Sequence, residues 1–277
     1  MRIEVLFPEL GNLYGDHGNI QYLTACVPET EVIYTGNLQE PEFVRGTVDL
    51  IYLGSMSEKN QELAIGRLAP YADRLKGYIE KNGVLLATGN ALELFGAYIQ
   101  EDRRRIPALG LFPYHSVRDM EHRHNSMFLG TFGGMKIVGT RSQFSFSYGE
   151  LPHPFLQVTG GIGMNPEAKT EGVHYRNFFA TYLLGPFWCS IPCLPCICWR
   201  SWDIRGRWPF SGRRWRRIPT GCGNWSARAS VFRWESTADS LFGTLDPCGI
   251  INSTAVILRG ASAAGLPRGF CSGSRFR

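Results

Sequence analysis

The first hundred residues alternate short apolar runs with stretches of helical periodicity. The apolar runs have the length of buried strands and cover residues 2–7, 31–36, 48–55 and 83–89. Around them the pattern predicts helices, which cover residues 20–26, 58–81 and 91–99. Short apolar strands that alternate with helices predict a parallel sheet with helices on both of its faces.

The pattern changes after about residue 105, where strand-like segments follow one another with short turns. These segments cover residues 135–149, 155–163 and 177–186. We interpret them as an extension of the same domain, which makes the α/β sheet mixed but still mainly parallel. The uncharged stretch 177–199 has the length of a membrane span. Gly185 and three prolines within it would break a helix repeatedly, so we predict no membrane span.

Two of the predicted strands end at glycine-containing turns. One strand ends at Gly54 and Ser55, and the other ends in the turn Thr88-Gly89-Asn90. Ligands of parallel α/β folds bind beyond the carboxyl ends of the strands, so this edge of the sheet is the expected site. The second joint has the strand–turn–helix order that holds a nucleophile in many α/β enzymes, yet its turn contains neither Cys nor Ser.

Four segments carry a resemblance to a known family. They read LGNLYGDHGNI (10–20), DLIYLGSMSEKNQ (49–61), GVLLATGNALELFG (83–96) and EGVHYRNFFATYLLGP (171–186). Together and in this order they resemble class I glutamine amidotransferase domains of the cobyric acid synthase type. The resemblance implies a flavodoxin-like α/β domain over residues 1–187. It also implies an opening loop, an oxyanion loop, a nucleophile elbow and a closing segment, in that order.

The sequence departs from the family pattern at the positions that carry the chemistry. Gly89 stands where the resemblance places the nucleophilic Cys, and Leu184 stands where it places the catalytic His. The other departures replace glycines of the oxyanion loop and elbow, the elbow Gln, and an expected Glu-Asn-His segment; they are Ser55, Met56, Asn90, Ala91, Glu93 and residues 139–145. The resemblance leaves Gly54, Ser55, Asn90 and Arg123 as candidate substrate-binding residues.

Glutamine hydrolysis in this family requires both of the missing groups. A thiolate activated by the neighbouring His forms a thioester with the substrate. Gly89 cannot form that acyl-enzyme, and Leu184 can neither accept nor donate a proton. Loss of nucleophile or base costs roughly 10⁶ in turnover in comparable triads. We therefore expect no intact catalytic residue in this domain.

The resemblance then implies a non-catalytic subunit that docks onto a ligase. The expected partner is a Mur-ligase-like or synthetase subunit in a heterodimer, acting on a cell-wall precursor or a cobalamin intermediate. Glutamine remains a candidate ligand, since a sensor could keep the pocket without the chemistry. The alternative is an active glutaminase subunit that delivers ammonia to the ligase, which requires a nucleophile of another kind, such as Thr88.

Several polar residues invite other readings. His115, His122 and His124 could form a metal site, but the charges around them favour a surface loop. His17 fits a loop position, and Asp16 is expected to cap the first helix. We predict neither a metal nor a cofactor for the domain.

Residues 188–277 differ from the rest of the chain. They contain thirteen Arg, no Lys and four acidic residues, whereas residues 1–187 contain 16 basic and 20 acidic residues. Four thiols lie between residues 189 and 198 at a spacing that matches no familiar metal site. Arg, Trp, Cys and Gly share G-rich codons, so we interpret this tail as the product of a frameshift near codon 187. The alternative is a basic segment, 211–219, that binds nucleic acid, which we do not predict.

The expected location is the cytoplasm. The opening residues MRIEVLF lack the long apolar run of a secretory signal. Cys26 is the single cysteine among the first 187 residues, where it is expected to fill a small core position on the first helix. So few thiols favour a reducing compartment.

Overall fold

A computed structural model describes residues 1–27, 29–151 and 153–185. The predicted domain boundary at residue 187, the four thiols of 189–198, the basic segment 211–219 and the side chain of Cys26 lie outside the described residues.

Helices occupy a small part of the described chain. They are α1 (Gly18–Cys26), α2 (Glu42–Arg45), α3 (Glu58–Leu68) and α4 (Ala72–Glu80), with short 3₁₀ segments at Leu13–Gly15, Ala69–Tyr71 and Gly89–Phe95. The predicted helix over residues 58–81 is therefore two helices. Pro70, which has no N–H to continue the ladder, lies in the 3₁₀ segment that joins them. The Ser57 hydroxyl caps the start of α3 by accepting a hydrogen bond from the Asn60 N–H at 3.3 Å.

The strands are β1 (Arg2–Leu6), β2 (Glu31–Thr35), β3 (Leu50–Leu53), β4 (Val84–Thr88), β5 (Tyr98–Glu101), β6 (Arg104–Pro107), β7 (His115–Arg118), β8 (His124–Phe132), β9 (Met135–Gln143), β10 (Ser145–Tyr148), β11 (Pro154–Gly160), β12 (Thr170–Tyr175) and β13 (Phe178–Thr181). Within the described ranges they form a nine-stranded sheet in the order β2-β1-β3-β4-β13-β12-β11-β8-β9 and a four-stranded sheet in the order β10-β7-β5-β6.

The large sheet is parallel on one side and antiparallel on the other. Strands β2, β1, β3, β4 and β13 pair in parallel, and the pairs from β13 through β12, β11 and β8 to β9 are antiparallel. This arrangement confirms the predicted mixed α/β sheet. The sheet is not mainly parallel, because the eight described strand pairs divide equally between parallel and antiparallel. Strand β13 contains four buried residues and lies between β4 and β12, so the uncharged stretch after residue 177 begins as a central strand. No helix among the described residues is long and apolar enough to cross a membrane.

Helices cover both faces of the parallel strands, as the alternating pattern predicts. On β3, Ile51 and Leu53 point to one hydrophobic cluster and Leu50 and Tyr52 to the other, because successive side chains of a strand alternate between faces. Side chains of α3 and α4 complete the first cluster, and side chains of α1 complete the second.

The predicted helix over residues 91–99 is wrong. The chain forms a 3₁₀ segment, Gly89–Phe95, and then enters β5 at Tyr98. The backbone joins the small sheet here, because the Ala97 N–H donates a hydrogen bond to the Tyr114 carbonyl at 2.7 Å. A Cβ on Gly96 would lie 2.8 Å from that same carbonyl oxygen, so the close approach requires glycine.

Candidate functional site

Three strand ends meet at one edge of the large sheet. Strand β4 lies between β3 and β13, with Ala87 opposite Leu53 and Thr88 opposite Thr181. Because these strands are parallel, the segments that follow them leave the sheet together. The oxyanion-type loop after β3, the elbow after β4 and the closing segment after β13 are therefore neighbours, as the resemblance implies.

Gly89 lies at the centre of this convergence. Its φ of +60° is a left-handed conformation that glycine adopts without strain. A Cβ added to Gly89 would clash with the Cβ of Ser55 and would lie 2.9 Å from Cδ2 of Leu184. The two positions that the resemblance assigns to nucleophile and base are thus in contact range of each other. The space beside Gly89 is already filled by two other side chains.

The Asp16 carboxylate joins all three strand ends. Its Oδ2 accepts the Ser55 N–H at 2.6 Å and the Thr88 hydroxyl at 2.7 Å, and its Oδ1 accepts the Gly185 N–H at 2.9 Å. Burial raises the pKa of Asp16, and these hydrogen bonds oppose that rise. The interpretation of Asp16 as a helix cap is wrong, because α1 begins at Gly18 and receives no side-chain cap. The carboxylate is instead used to hold the site together.

Thr88 is fully buried at the end of β4. Its hydroxyl donates to Asp16 and lies 3.0 Å from the Tyr52 hydroxyl, which in turn donates to the Asp16 carbonyl. A nucleophile must reach its substrate, and this hydroxyl is buried and already bonded to Asp16 and Tyr52. The geometry gives no support to Thr88 as a replacement nucleophile.

Asn90 binds the backbone of the loop after β3. Its Oδ1 accepts the Met56 N–H at 3.0 Å, and its Nδ2 donates to the Met56 carbonyl at 2.7 Å. The Asn90 carbonyl itself accepts a hydrogen bond from Nε2 of Gln61 at 2.6 Å. Elbow and loop are therefore fastened to each other by side-chain amides.

A buried polar network lies beneath the elbow. Glu93 accepts hydrogen bonds from Gln61 at 3.0 Å and from the Tyr182 hydroxyl at 3.3 Å. Burial raises the pKa of Glu93 to about 7, and hydrogen bonding to Gln61 and the charge of Arg118 only partly offset it. Arg118 donates to Gln61 and pairs with Glu62 and Glu101. The sequence alone did not predict this network. Its one indication was Glu93, a charged residue at the position where the resemblance places Gln.

Arg123 lies at the exposed rim of the site. Its guanidinium packs 4.5 Å from the centre of the Phe144 ring and donates to the Tyr14 hydroxyl at 3.4 Å. Tyr14 belongs to the opening loop, whose Leu13 N–H donates to the Ser55 carbonyl at 3.0 Å. Arg123 is therefore linked to the oxyanion-type loop through the opening loop and makes no described contact with Gly89.

Gly54 packs against Gly11 of the same opening loop, backbone against backbone. A Cβ on Gly11 would lie 2.9 Å from the Gly54 carbonyl oxygen. The substrate-binding roles of Gly54, Ser55, Asn90 and Arg123 remain predictions.

The segment 139–145, where the resemblance expects Glu-Asn-His, contains the last five residues of β9 and the first residue of β10. The Leu184 N–H donates to the Thr140 carbonyl at 3.0 Å, so this strand holds the closing segment in place. Arg141 is buried and donates to the carbonyls of Ile162 and Gly163. The substitution therefore puts a structural cation where acid–base groups are expected.

The three histidines considered as metal ligands have separate partners. His115 stacks on Tyr98 at 4.9 Å, and His122 bonds the carboxylate of Asp119 at 2.8 Å. His124 bonds the Ser126 hydroxyl at 2.8 Å. In the part of the chain that the structure describes, no three His, Cys, Asp or Glu side chains are grouped as a metal would require.

Comparison with known proteins agrees with this geometry. No family model matches the chain. It is 28% identical over 196 residues to the Lipid II isoglutaminyl synthase (glutamine-hydrolyzing) subunit GatD of Streptococcus pneumoniae, covering 67% of this chain and 74% of that protein. It is 30% identical over 183 residues to the GatD subunit of Staphylococcus aureus, covering 63% of this chain and 73% of that protein.

A solved structure supports the same fold. A crystal structure of a glutamine amidotransferase superposes with a TM-score of 0.50 at 12% identity, covering 72% of this chain and 97% of that one. The sheet order, the convergence at Gly89 and the identity to the two subunits agree. The chain therefore belongs to the family of class I glutamine amidotransferase domains that includes the GatD subunits of lipid II isoglutaminyl synthase.

Proposed function

We propose that this chain is a glutamine amidotransferase-type subunit of an amide-forming ligase and that it does not itself hydrolyse glutamine. Its relatives are subunits of a synthase that acts on lipid II, so the cell-wall precursor is a better candidate than a cobalamin intermediate. The partner would be the ligase subunit of that synthase. The chain would dock onto it and shape or regulate its activity.

One observation carries the proposal. Gly89 occupies the elbow with no side chain, and the nearest groups are the Ser55 Cβ and a methyl of Leu184. Neither residue 89 nor residue 184 has a thiol, an imidazole or another group that could form and release an acyl-enzyme. The hydroxyls of Ser55 and Thr88 are buried and already donate to the Leu13 carbonyl and to Asp16.

The proposal is tested by ammonia release from L-glutamine, measured for the purified chain alone and together with its ligase subunit. The glutamine-hydrolyzing subunit of Streptococcus pneumoniae serves as the active reference. We expect release at the level of buffer in both cases. The chain should nevertheless form a complex with the ligase subunit, which size-exclusion chromatography would show.

Two variants guard against a hidden nucleophile. Thr88→Val keeps the shape of the side chain, and Ser55→Ala removes the hydroxyl next to the elbow. Ammonia release by the parent chain that is lost in either variant would contradict the proposal and support the active glutaminase subunit. Release that is equal in all three proteins would indicate a contaminating glutaminase.

A further inference from the structure

The loop after β3 presents two consecutive backbone amides, at Ser55 and Met56. This loop resembles one that binds an oxyanion, for which free N–H groups must point at the developing charge. In this chain both amides already have acceptors. The Ser55 N–H is bonded to Oδ2 of Asp16 at 2.6 Å, and the Met56 N–H is bonded to Oδ1 of Asn90 at 3.0 Å.

The Asn90 contact is two-sided and buried. Its amide satisfies both the N–H and the carbonyl of Met56, in the manner of a neighbouring strand. Its own backbone carbonyl is held by Gln61. Asn90 is only 8% exposed. If its side chain moved away to free the Met56 N–H, buried polar groups would be left without hydrogen-bond partners, which is costly.

The volume beside Gly89 is occupied by the side chains of Ser55 and Leu184. The Ser55 hydroxyl donates to the Leu13 carbonyl at 3.0 Å, which sets the position of its Cβ. The Leu184 backbone is bonded to Thr140 of β9. A substrate carbonyl that approached the elbow would meet both side chains.

We propose that this strand-end site is closed to glutamine by its own side chains, with Asn90 engaging the Met56 amide and with Ser55 and Leu184 filling the space beside Gly89. The inference rests on the proposed function and goes further. It states that this chain neither binds nor hydrolyses glutamine. It also implies that restoring a Cys at residue 89 and a His at residue 184 is insufficient for activity.

Hydrogen exchange at the Met56 amide tests the role of Asn90. In Asn90→Gly the amide loses its acceptor, and we expect its exchange to accelerate about fivefold relative to the parent. Asn90→Asp keeps an oxygen that can accept the same N–H, so its Met56 amide should stay closer to the parent rate. Unchanged exchange in Asn90→Gly would overturn the proposal.

Titration with L-glutamine tests the closure directly. The probe is the set of backbone amide resonances of Ser55, Met56 and Gly89. We expect no shift in the parent chain and clear shifts in the opened variant Asn90→Gly/Ser55→Gly/Leu184→Ala. Shifts in the parent, or a folded opened variant without shifts, would overturn the proposal.

The two proposals can fail separately. Glutamine that binds the parent without ammonia release would overturn the closure and leave the non-catalytic function standing. Ammonia release by the parent would overturn both. If the opened variant does not fold, the exchange measurement on Asn90→Gly still decides the role of Asn90.

Discussion

The hydroxyl of Tyr182 donates a hydrogen bond to the fully buried carboxyl group of Glu93 over 3.3 Å. Tyr182 belongs to the closing segment, and Glu93 belongs to the elbow. Their contact places an ionisable group in the interior between two of the three converging segments. The resemblance places Gln at residue 93, and a Gln side chain does not titrate. The ionisable group at this position is therefore a departure from the family pattern.

The first prediction concerns pH. The pKa of Glu93 is raised by burial to about 7 from an ordinary 4.5, so the folded state binds more protons than the unfolded state between those values. Stability is therefore full below pH 4.5 and falls as pH rises through 7, by roughly 3 kcal/mol. Glu93→Gln does not titrate. Between pH 5 and pH 8 its unfolding free energy should gain about 2 kcal/mol or slightly more relative to the parent.

Urea unfolding at the two pH values measures this difference. The exposed Glu167→Gln serves as the control and should follow the parent at both. A difference in unfolding free energy between Glu93→Gln and the parent that stays the same at both pH values would contradict the raised pKa of Glu93.

The second prediction concerns the elbow. Gly89→Ala introduces a Cβ at φ +60° and against Ser55, which combines backbone strain with overpacking. We expect a loss of about 2–4 kcal/mol of unfolding free energy. Adding Ser55→Gly should recover part of it, as a double-mutant cycle would measure.

Gly66→Ala is the matched control for the elbow variant. Gly66 lies in α3, and a Cβ there would meet nothing within 4 Å. Alanine is the better helix former, so this substitution should be neutral or stabilising by up to about 1 kcal/mol. Equal costs at residues 66 and 89 would contradict the steric argument.

The third prediction concerns Asp16. Asp16→Asn keeps one carbonyl oxygen and turns an NH₂ group towards a donor, so one of the amides of Ser55 and Gly185 loses its acceptor. An unpaired buried donor costs about 1–3 kcal/mol. Thermal unfolding should shift down accordingly, while the exposed Asp73→Asn on α4 should leave it unchanged. A silent Asp16→Asn would show that the carboxylate does not hold the three segments.

The fourth prediction compares two arginines that share one partner. Arg118 and Arg104 both pair with Glu62, but the Arg118 side chain is 1% exposed and the Arg104 side chain is 61% exposed. Removing one partner of a buried pair costs about 3–5 kcal/mol, whereas an exposed pair contributes about 0–1. Arg118→Met should therefore be far more destabilising than Arg104→Met in chemical denaturation. Similar costs would indicate that burial does not set the strength of these pairs.

The sequence predicted the parallel half of the sheet because its strands are continuous apolar runs, such as residues 84–88. Fully buried strands leave that mark whatever their neighbours are. The proximity of Gly89 and Leu184 was implied by the resemblance, which assigns these two positions to a nucleophile and its neighbouring base. These expectations depend on local pattern and on the order of a few segments.

Other features could not be read in advance because they depend on distant partners. Residues 91–99 have a helical apolar pattern, yet pairing of β5 with β6 and β7 outweighs local propensity. Asp16 precedes the first helix, which suggested a cap. Its three actual donors lie 39, 72 and 169 residues away in the sequence, so no local pattern indicates them. Asn90 stood out only as a replaced glycine, and nothing local marks Met56 as its partner.

The bond between Asp16 and Gly185 has a consequence for the order of folding. A ribosome that adds about 5–20 residues per second makes Gly185 roughly ten to thirty seconds after Asp16. During that interval Asp16 lacks one of its donors, and β4 lacks the neighbour that β13 will provide. The parallel core can collapse early, but the strand-end site can be completed only after the closing segment is synthesised. The emerging chain therefore exposes an unpaired edge of β4 until residues 89–181 have been synthesised, and this edge is where chaperones or misfolding would act first.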